Sequence, residues 1–210
     1  MKTILVATTN QGKFEQIKRM FEYYNITNIL SLKDVLPVDE PEEYGSTCQQ
    51  NAYIKAEYYA EKFPDYCILA DDSGIFIDEF DGAPGVYSAR WGGAHNTDTI
   101  REKLLQEFKT HRIHESCATY ECAMVFKDKD RDNLTIISIG KMEGVIKDTG
   151  SGTPRKGLAY DPYFYIDDNT TAADMMDKDE DSLVMINHRG KATKQMINNI
   201  LKEYYYETTH

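Results

Sequence analysis

The chain has 210 residues, a hydrophobic fraction of 41% and a formal net charge of −11, from 24 basic and 35 acidic residues. This length suits one α/β domain or two tightly joined lobes, and such a chain can bury roughly 70% of the surface of its unfolded state without a disulfide or a metal. The acidic balance argues against a dedicated binder of nucleic acid or of anionic membranes, because both partners require a basic surface.

No apolar run approaches the ~20 residues of a membrane span. The first ten residues also lack the long apolar stretch and the cleavage site of a signal peptide. Cys48, Cys67, Cys117 and Cys122 form no C-x-x-C pair. We therefore expect reduced thiols and a cytoplasmic location.

The first elements in chain order are a strand and a helix. The apolar run 4–7 predicts a buried strand, and Phe14, Ile17 and Phe21 recur at helical spacing after a polar turn. A second short strand is predicted over 26–30, followed by an irregular acidic loop, 39–43. Ser46 or Thr47 is expected to cap the next helix, which reaches about residue 63 and presents Asn51 and Lys55 on one face.

The middle of the chain reads as two strand segments, 67–70 and 75–77, on either side of a sharp turn at 71–74. A glycine-rich loop over 81–93 follows, and Thr97 is expected to cap a helix whose apolar side holds Ile100, Leu104, Leu105 and Phe108. Alternating patterns over 116–127 and 134–146 predict a hairpin.

The remaining pattern consists of a loop at 148–157, a short strand at 163–166, an acidic segment over 167–181 and a final helix from about 190 to 206. Helices that alternate with strands around one long hairpin indicate a mixed sheet covered by helices. No repeat or linker divides the chain.

The first candidate for chemistry is the turn from Thr8 to Lys13, where a strand leads into the N-terminus of a helix. Such a terminus favours a bound phosphate, and Lys13 adds a positive charge. The spacing is neither that of a P-loop nor that of G-x-G-x-x-G. An ordinary capped turn with a solvated lysine is the alternative interpretation.

Asp71 and Asp72 form a second candidate, because one carboxylate could bind a divalent cation while the other holds its geometry or accepts a proton from water. Turn-forming aspartates are the alternative. Glu42 or Glu43 could complete a metal site, although most of the acidic loop is expected to be solvated.

Three further segments could meet a ligand. Arg90 lies in an aromatic, glycine-rich loop and suits forked phosphate contacts, although this loop could instead pack Tyr87 and Trp91 into the core. Asp161 follows an aromatic turn, where it could orient a ligand or cap the turn. The run 188–191 places cations before the last helix, where the dipole disfavours them, so an anion is expected between them. Surface basic residues that offset nearby acidic residues are the alternative. The cations able to surround a small anion are Lys13, Lys55, Arg90, His188, Arg189 and Lys191.

Six motifs occur in order along residues 3–195: TTNQGK, the helix from Asn51 to Lys55, LADDSG, GAPGVYSAR, GLAYDP and NHRGKA. Together they resemble the signature blocks of the inosine triphosphate pyrophosphatase family, whose members hydrolyse deaminated purine nucleoside triphosphates. The resemblance implies release of pyrophosphate from ITP, dITP, XTP or dXTP with Mg²⁺ as cofactor. It also implies a homodimer and one domain, 1–210, with an α/β fold in which an elongated mixed sheet is flanked by helices and a cleft separates two lobes.

The same resemblance implies a role for each residue of the motifs. Asp72 would bind Mg²⁺ with Glu42 and accept a proton from the attacking water. His188 and Arg189 would lie near the 6-keto edge of the base. The expected substrate contacts include the two phosphate candidates, Lys55 and Arg90. The other expected contacts are Thr8, Thr9, Asn10, Gln11, Gly12, Lys13, Ser73, Leu158, Ala159, Tyr160, Asp161, His188 and Arg189.

The chain departs from the family pattern at several positions. Thr9 replaces a glycine, Leu158 a phenylalanine and Leu183 a lysine, for which Lys178 is a possible substitute. The departures at Leu158 and Leu183 leave one alternative open, a pyrophosphatase for modified pyrimidine nucleotides. The second alternative is a nucleotide-binding module without catalysis. Intact Asp71, Asp72 and Ser73 speak against the second.

Overall fold

The structure is a computed structural model that describes residues 2–35, 39–93 and 96–206, with only the backbone described for 205 and 206. The strands within these ranges are β1 (Ile4–Val6), β2 (Ile29–Ser31), β3 (Cys67–Ile77), β4 (Pro84–Gly85), β5 (Glu115–Asp128), β6 (Leu134–Lys147) and β7 (Phe164–Tyr165). The α-helices are α1 (Gln11–Tyr23), α2 (Cys48–Lys62), α3 (Thr97–His111), α4 (Ala172–Lys178), α5 (Glu180–Ile186) and α6 (His188–Leu201).

The strands form one mixed sheet in the order β2-β1-β3-β5-β6-β7, with β4 paired to β3. Strand β1 is parallel to both of its neighbours, so that Ile4 lies opposite Ile29 on one side and Cys67 on the other. Strands β4 and β7 are antiparallel to β3 and β6. The predicted mixed sheet with covering helices is therefore confirmed.

The chain divides into two compact units. The first contains residues 1–72, 122–140 and 188–210, and the second contains 73–121 and 141–187. Strands β3, β5 and β6 contribute residues to both units.

In the first unit, two crossover connections place helices on both faces of the sheet. The step from β1 through α1 to β2 and the step from β2 through α2 to β3 run in opposite directions across the sheet. Because crossovers are right-handed, α1 and α2 cover opposite faces. Helix α6 packs beside α1. Leu5, Ile17, Phe21, Ile68 and Ile197 are fully buried in this unit.

The second unit has its own apolar core. Ile75 and Ile77 of β3 pack with Leu104 and Phe108 of α3, and Trp91 is partly buried against this cluster. The predicted apolar side of α3 is confirmed for its buried members Ile100, Leu104 and Phe108.

Several sequence expectations are confirmed in detail. Thr47 caps α2 by accepting a hydrogen bond from the Gln50 amide. The acidic loop 39–43 contains no helix or strand. The strands on either side of the predicted hairpin turn are β5 and β6, which are neighbours in the sheet. All four cysteines are free thiols, and Cys117 and Cys122 both lie in β5.

The expectation of two strand segments around a sharp turn at Asp71–Gly74 is wrong. Strand β3 runs unbroken from Cys67 to Ile77. Gly74 allows β4 to approach β3 closely, because a Cβ atom at this position would lie 2.2 Å from the Gly85 carbonyl oxygen. The polar residues 71–74 have the composition of a turn, although they lie inside strand β3.

Two helix boundaries also differ from prediction, and the acidic segment contains helical structure that the sequence pattern does not predict. Asn96 caps α3 in place of Thr97, by accepting from the amides of Asp98 and Thr99. The acidic segment 167–181 contains α4 and leads into α5, and Thr171 and Asp174 form a capping box at the start of α4. Helix α6 begins at His188, so the cations expected before the last helix form its first turn.

No helix within the described ranges combines the length and the apolar composition needed to cross a membrane.

Candidate active site

The turn between β1 and α1, with the first residues of α1, has the local structure of an anion site, and residues 8–13 are called the phosphate turn below. Asn10 caps α1, because its side chain accepts a hydrogen bond of 3.2 Å from the Lys13 amide. The Thr8 hydroxyl accepts from the Asn10 amide at 3.2 Å and fixes the turn. Thr9, Asn10, Gln11 and Gly12 are exposed. An exposed helix N-terminus followed by a lysine is suited to phosphate.

Asp71 is the buried anion of this site. Its side chain is 2% exposed, and its Oδ2 lies 3.1 Å from Lys13 Nζ and 3.6 Å from Arg189 Nε. Burial alone would raise the pKa of Asp71, but Lys13, Arg189 and Lys55 outweigh burial and hold this pKa well below its usual range. Asp71 is therefore an ionised carboxylate that links the phosphate turn to α6.

Asp72 faces a different set of partners, as expected for the next residue of a strand. Its Oδ2 accepts a 3.1 Å hydrogen bond from Asn51 Nδ2, and its Oδ1 lies 3.6 Å from Lys55 Nζ. Burial raises the pKa of Asp72 in spite of Lys55, and Glu43 adds to the increase. Desolvation thus makes this carboxylate a better proton acceptor than an exposed aspartate.

Lys55 lies between two carboxylates. Its Nζ is 3.0 Å from Glu43 Oε1 as well as 3.6 Å from Asp72 Oδ1, and its side chain is 12% exposed. Burial would lower the pKa of Lys55, but the charges of Asp72, Asp71 and Glu43 raise it. The ammonium group therefore stays charged and stabilises both carboxylates.

The acidic loop contacts the site through two of its glutamates. Glu43 pairs with Lys55, and Glu40 accepts a 3.0 Å hydrogen bond from the Thr9 hydroxyl in the phosphate turn. Glu42 is exposed. Glu43 therefore lies beside Lys55, which is also a partner of Asp72, and the preceding residue, Glu42, lies at the surface.

The donor set fits a hard divalent cation only in part. Among the described residues, no group of three or more His, Cys, Asp or Glu side chains could by itself hold a metal ion. Mg²⁺ ordinarily takes one or two carboxylates and completes its shell with water and phosphate oxygens. Asp72 with one neighbouring glutamate matches that requirement, provided that the remaining ligands come from a bound phosphate compound.

At the start of α6, His188 is half-buried and Arg189 is 8% exposed. Arg189 also donates to the Gln16 side-chain oxygen at 3.2 Å. Loss of hydration, followed by the charges of Arg189 and Lys13, lowers the pKa of His188 well below 6.5. This imidazole is consequently neutral at physiological pH.

The predicted site residues of the second unit form a separate set. Arg90 lies 5.1 Å from the centre of the Tyr87 ring. Tyr160 donates to the Ser88 carbonyl oxygen at 2.9 Å, and Asp161 accepts from the Tyr120 hydroxyl at 2.8 Å. Ser73 and Leu158 are half-buried, and Ala159 is buried.

The structure also locates Leu183, which stands in place of the expected lysine, and Lys178, the substitute considered from the sequence. Leu183 is 2% exposed in α5, so it is a buried apolar residue of the second unit. Lys178 ends α4 and is exposed.

Sequence reasoning missed two parts of the site. Asn51 was placed on the same helix face as Lys55 but was given no contact to Asp72. Asp71 was paired with Asp72, while its contacts to Lys13 and Arg189 join segments that are distant in sequence. The signal that could have identified the first is an asparagine on the same helix face as the small apolar residues Cys48, Ala52 and Ala56.

An anion-binding turn beside two buried, cation-paired carboxylates is typical of α/β proteins that act on phosphate groups. The comparisons with known proteins agree. Residues 4–199 match the Ham1 family, and the chain belongs to that family.

Its relatives include a dITP/XTP pyrophosphatase of Bacillus anthracis, 34% identical over 93% of this chain and 95% of the relative. Another is a dITP/XTP pyrophosphatase of Clostridium perfringens, 35% identical over 95% of this chain and 98% of the relative. The resemblance drawn from the six motifs is therefore confirmed.

Solved structures of two Ham1 proteins share the fold. The protein from Staphylococcus aureus has a TM-score of 0.79 at 28% identity and covers 95% of this chain and 98% of its own. The protein from Coxiella burnetii has a TM-score of 0.80 at 29% identity and covers 96% of this chain and 100% of its own.

Proposed function

We propose that this chain is a nucleoside triphosphate pyrophosphatase that hydrolyses ITP, dITP, XTP and dXTP to the monophosphate and pyrophosphate. The observation that carries the proposal is the position of Asp72, which is held by Asn51 and Lys55 beside the Asp71–Lys13 pair of the phosphate turn. The names of the relatives, dITP/XTP pyrophosphatases, support the substrate class.

In this proposal, Thr8 to Lys13 and Lys55 bind the triphosphate. The N-terminus of α1 stabilises phosphate oxygens, and the two ammonium groups offset their charge. A triphosphate would compete with Glu43 for Lys55, because Lys55 Nζ lies 3.0 Å from Glu43 Oε1. Lys55 can therefore exchange its carboxylate partner for a phosphate group, and its positive charge stays paired throughout.

The metal ligands that we propose are Asp72 and one of the two adjacent glutamates, Glu42 or Glu43. The cofactor is Mg²⁺, which would neutralise charge on the phosphate oxygens when bound. Glu43 is favoured by its contact with Lys55, and Glu42 by the family resemblance.

Asp72 is also the proposed catalytic base. Its carboxylate accepts a proton from the water that attacks the α-phosphorus, the bond from this phosphorus to the bridging oxygen breaks, and pyrophosphate leaves. Burial raises the pKa of Asp72, which favours this transfer, while Asn51 and Lys55 orient the two oxygens.

Selection of the base is assigned to His188 and Arg189. A neutral imidazole and a guanidinium can both donate to the 6-oxo group of hypoxanthine or xanthine. An adenine amino group would leave these donors unpaired, and this mismatch costs affinity. Ser73, Arg90 and the segment Leu158 to Asp161 are proposed as further substrate contacts on the basis of the family resemblance.

One assay tests the function: release of pyrophosphate with Mg²⁺ from ITP, XTP, dITP, GTP, ATP and modified pyrimidine triphosphates. We expect ITP and XTP to be preferred, and Asp72→Asn to lose about 10²- to 10⁴-fold in kcat. Equal rates for both proteins would exclude Asp72 as the base. Preference for a modified pyrimidine would instead support the alternative that the Leu158 and Leu183 departures leave open.

Glu42→Gln and Glu43→Gln separate the two candidate metal ligands. The variant that lacks the true metal ligand should require a higher Mg²⁺ concentration for half-maximal activity, while the other variant should keep the wild-type requirement.

A homodimer and a cytoplasmic location are further parts of the proposal, and the mass of the protein in solution tests the dimer.

A further inference from the structure

We infer that Arg101 of α3 is a positioning residue that holds the segment 155–161 in the conformation in which it contacts the nucleoside. The inference rests on the proposed function, which assigns Leu158 to Asp161 to substrate contact. It adds a residue outside the six sequence motifs, from a helix with no other role in the site.

The Arg101 guanidinium contacts three main-chain carbonyl groups of this segment. Its Nη2 donates to the Arg155 carbonyl oxygen at 3.1 Å and to the Leu158 carbonyl oxygen at 3.5 Å. Its Nε donates to the Ala159 carbonyl oxygen at 3.4 Å. The Arg101 side chain is only 16% exposed, so these contacts are largely shielded from water.

These contacts act on the turn 155–158, which Arg155 also anchors through an ion pair of 2.6 Å with Asp177. Leu158 N donates to the Arg155 carbonyl oxygen at 3.3 Å across the turn, and Gly157 within it has a φ of 83°. Thr97, the first residue of α3, accepts a 2.8 Å hydrogen bond from the Gly157 amide. Helix α3 therefore holds the turn at Arg155 and Leu158 through Arg101, and at Gly157 through Thr97.

The next residues of the segment are anchored elsewhere. Tyr160 is fixed through its hydroxyl to the Ser88 carbonyl, and Asp161 through its carboxylate to Tyr120. Leu158 has no comparable side-chain anchor, because an apolar side chain makes no hydrogen bonds. Its position thus depends on the backbone that Arg101 holds.

Arginine is the side chain that suits this task. A planar guanidinium offers five N–H donors in a fixed geometry and can serve several carbonyl groups at once. Lysine carries the same charge, but its ammonium group is compact and cannot reproduce the fork. Arg101→Lys should therefore retain part of the function, and Arg101→Met, which keeps most of the apolar stem, should lose it.

The test compares a substrate that carries a base with an inhibitor that has none. We would measure kcat and KM for ITP and the inhibition constant of inorganic tripolyphosphate. For Arg101→Met, we expect the KM for ITP to rise about tenfold, with tripolyphosphate inhibition within twofold of wild type, because only the nucleoside contacts are misplaced. The KM of Arg101→Lys for ITP should lie between those of wild type and Arg101→Met.

Lys109→Ala is the matched control, since it removes a cation from an exposed position of the same helix. It should leave both constants unchanged. A purely structural role for Arg101 would lower the active fraction and so reduce kcat at constant KM, and this result overturns the inference. A parallel loss of ITP and tripolyphosphate affinity would overturn it as well.

Failure of the proposed function looks different. In that case wild-type protein releases no pyrophosphate from any of the triphosphates, whatever residue stands at 101. If Arg101→Met does not fold, the comparison of Arg101→Lys with wild type decides the matter on the same two constants.

Discussion

Lys13 Nζ lies 3.1 Å from Asp71 Oδ2, so the lysine of the phosphate turn is held by a carboxylate that is itself almost completely buried. Arg189 shares this carboxylate from α6. Two cations that would otherwise repel one another are thereby kept together. In the proposed function, this arrangement supplies positive charge for the triphosphate in a protein whose net charge is −11.

Removing the Asp71 charge should destabilise the fold. In Asp71→Asn, Lys13 and Arg189 lose their common counter-charge, and breaking a buried ion pair in this way costs about 3–5 kcal/mol. Urea unfolding measures the change. Asp130→Asn is the control, because it breaks the pair of Lys2 with an exposed aspartate and should cost less than about 1 kcal/mol. Equal losses for both variants would contradict the role of Asp71.

Asn51→Ala should change the pH dependence of the reaction. The Asn51 amide stabilises the charged form of Asp72, so its loss should raise the pKa of Asp72 further above the usual value. If Asp72 is the base, the acid limb of kcat/KM moves to higher pH. The loss of activity should therefore be largest on the acid side of the profile. A pH–rate profile tests this, with Gln49→Ala, an exposed neighbour on the same helix, as the control.

Gly140→Ala should displace the start of α6. A Cβ atom at this position would lie 2.0 Å from the His188 carbonyl oxygen and 2.4 Å from the Ala192 amide nitrogen. The helix would have to move, at a cost of about 1–3 kcal/mol or more. Thermal unfolding measures the loss. Gly12→Ala is a contrasting variant: its nearest neighbour would be at 3.4 Å, and alanine in a helix should be neutral or stabilising by up to about 1 kcal/mol.

His188 should make the stability of the protein depend on pH. The pKa of His188 in the folded state lies well below 6.5, so as the pH falls the unfolded chain binds a proton that the folded protein does not bind. The free energy of unfolding should therefore decrease below about pH 6.5, with a slope approaching about 1.4 kcal/mol per pH unit. The slope should be reduced in His188→Gln and retained in the exposed control His114→Gln. An unchanged slope in His188→Gln would contradict this assignment.

The parts of the fold that were predictable are those set by local chemistry. Apolar runs placed β1, β5 and β6, and Thr47 marked the start of α2. Local chemistry also misled: Asp71 to Gly74 has the composition of a turn but lies within β3, where partners on several elements satisfy the polar side chains. Propensity was overridden by tertiary contacts.

The site was predictable in its motifs and not in its pairings. The motifs named Lys13, Asp72, Lys55 and Arg189, because each belongs to a recognisable sequence block. The contact of Asp71 with Arg189 joins two such blocks through the folded sheet, and no spacing rule reports it. Arg101 lies outside every block, so only the three carbonyl contacts reveal it.

The course of β3 constrains how this protein can vary. Successive side chains of a strand alternate between its faces, so Asp71 serves Lys13 and Arg189 while Asp72 serves Asn51 and Lys55. β3 is held in register by β1, with Val6 opposite Leu69. Deleting or inserting one residue between Leu69 and Asp71 would exchange the two carboxylates, placing the intended base against α1 and the counter-ion against α2. A change of two residues would restore the faces but move both carboxylates by about 6–7 Å along the strand, away from their partners. The number of residues between Leu69 and the carboxylates is therefore fixed.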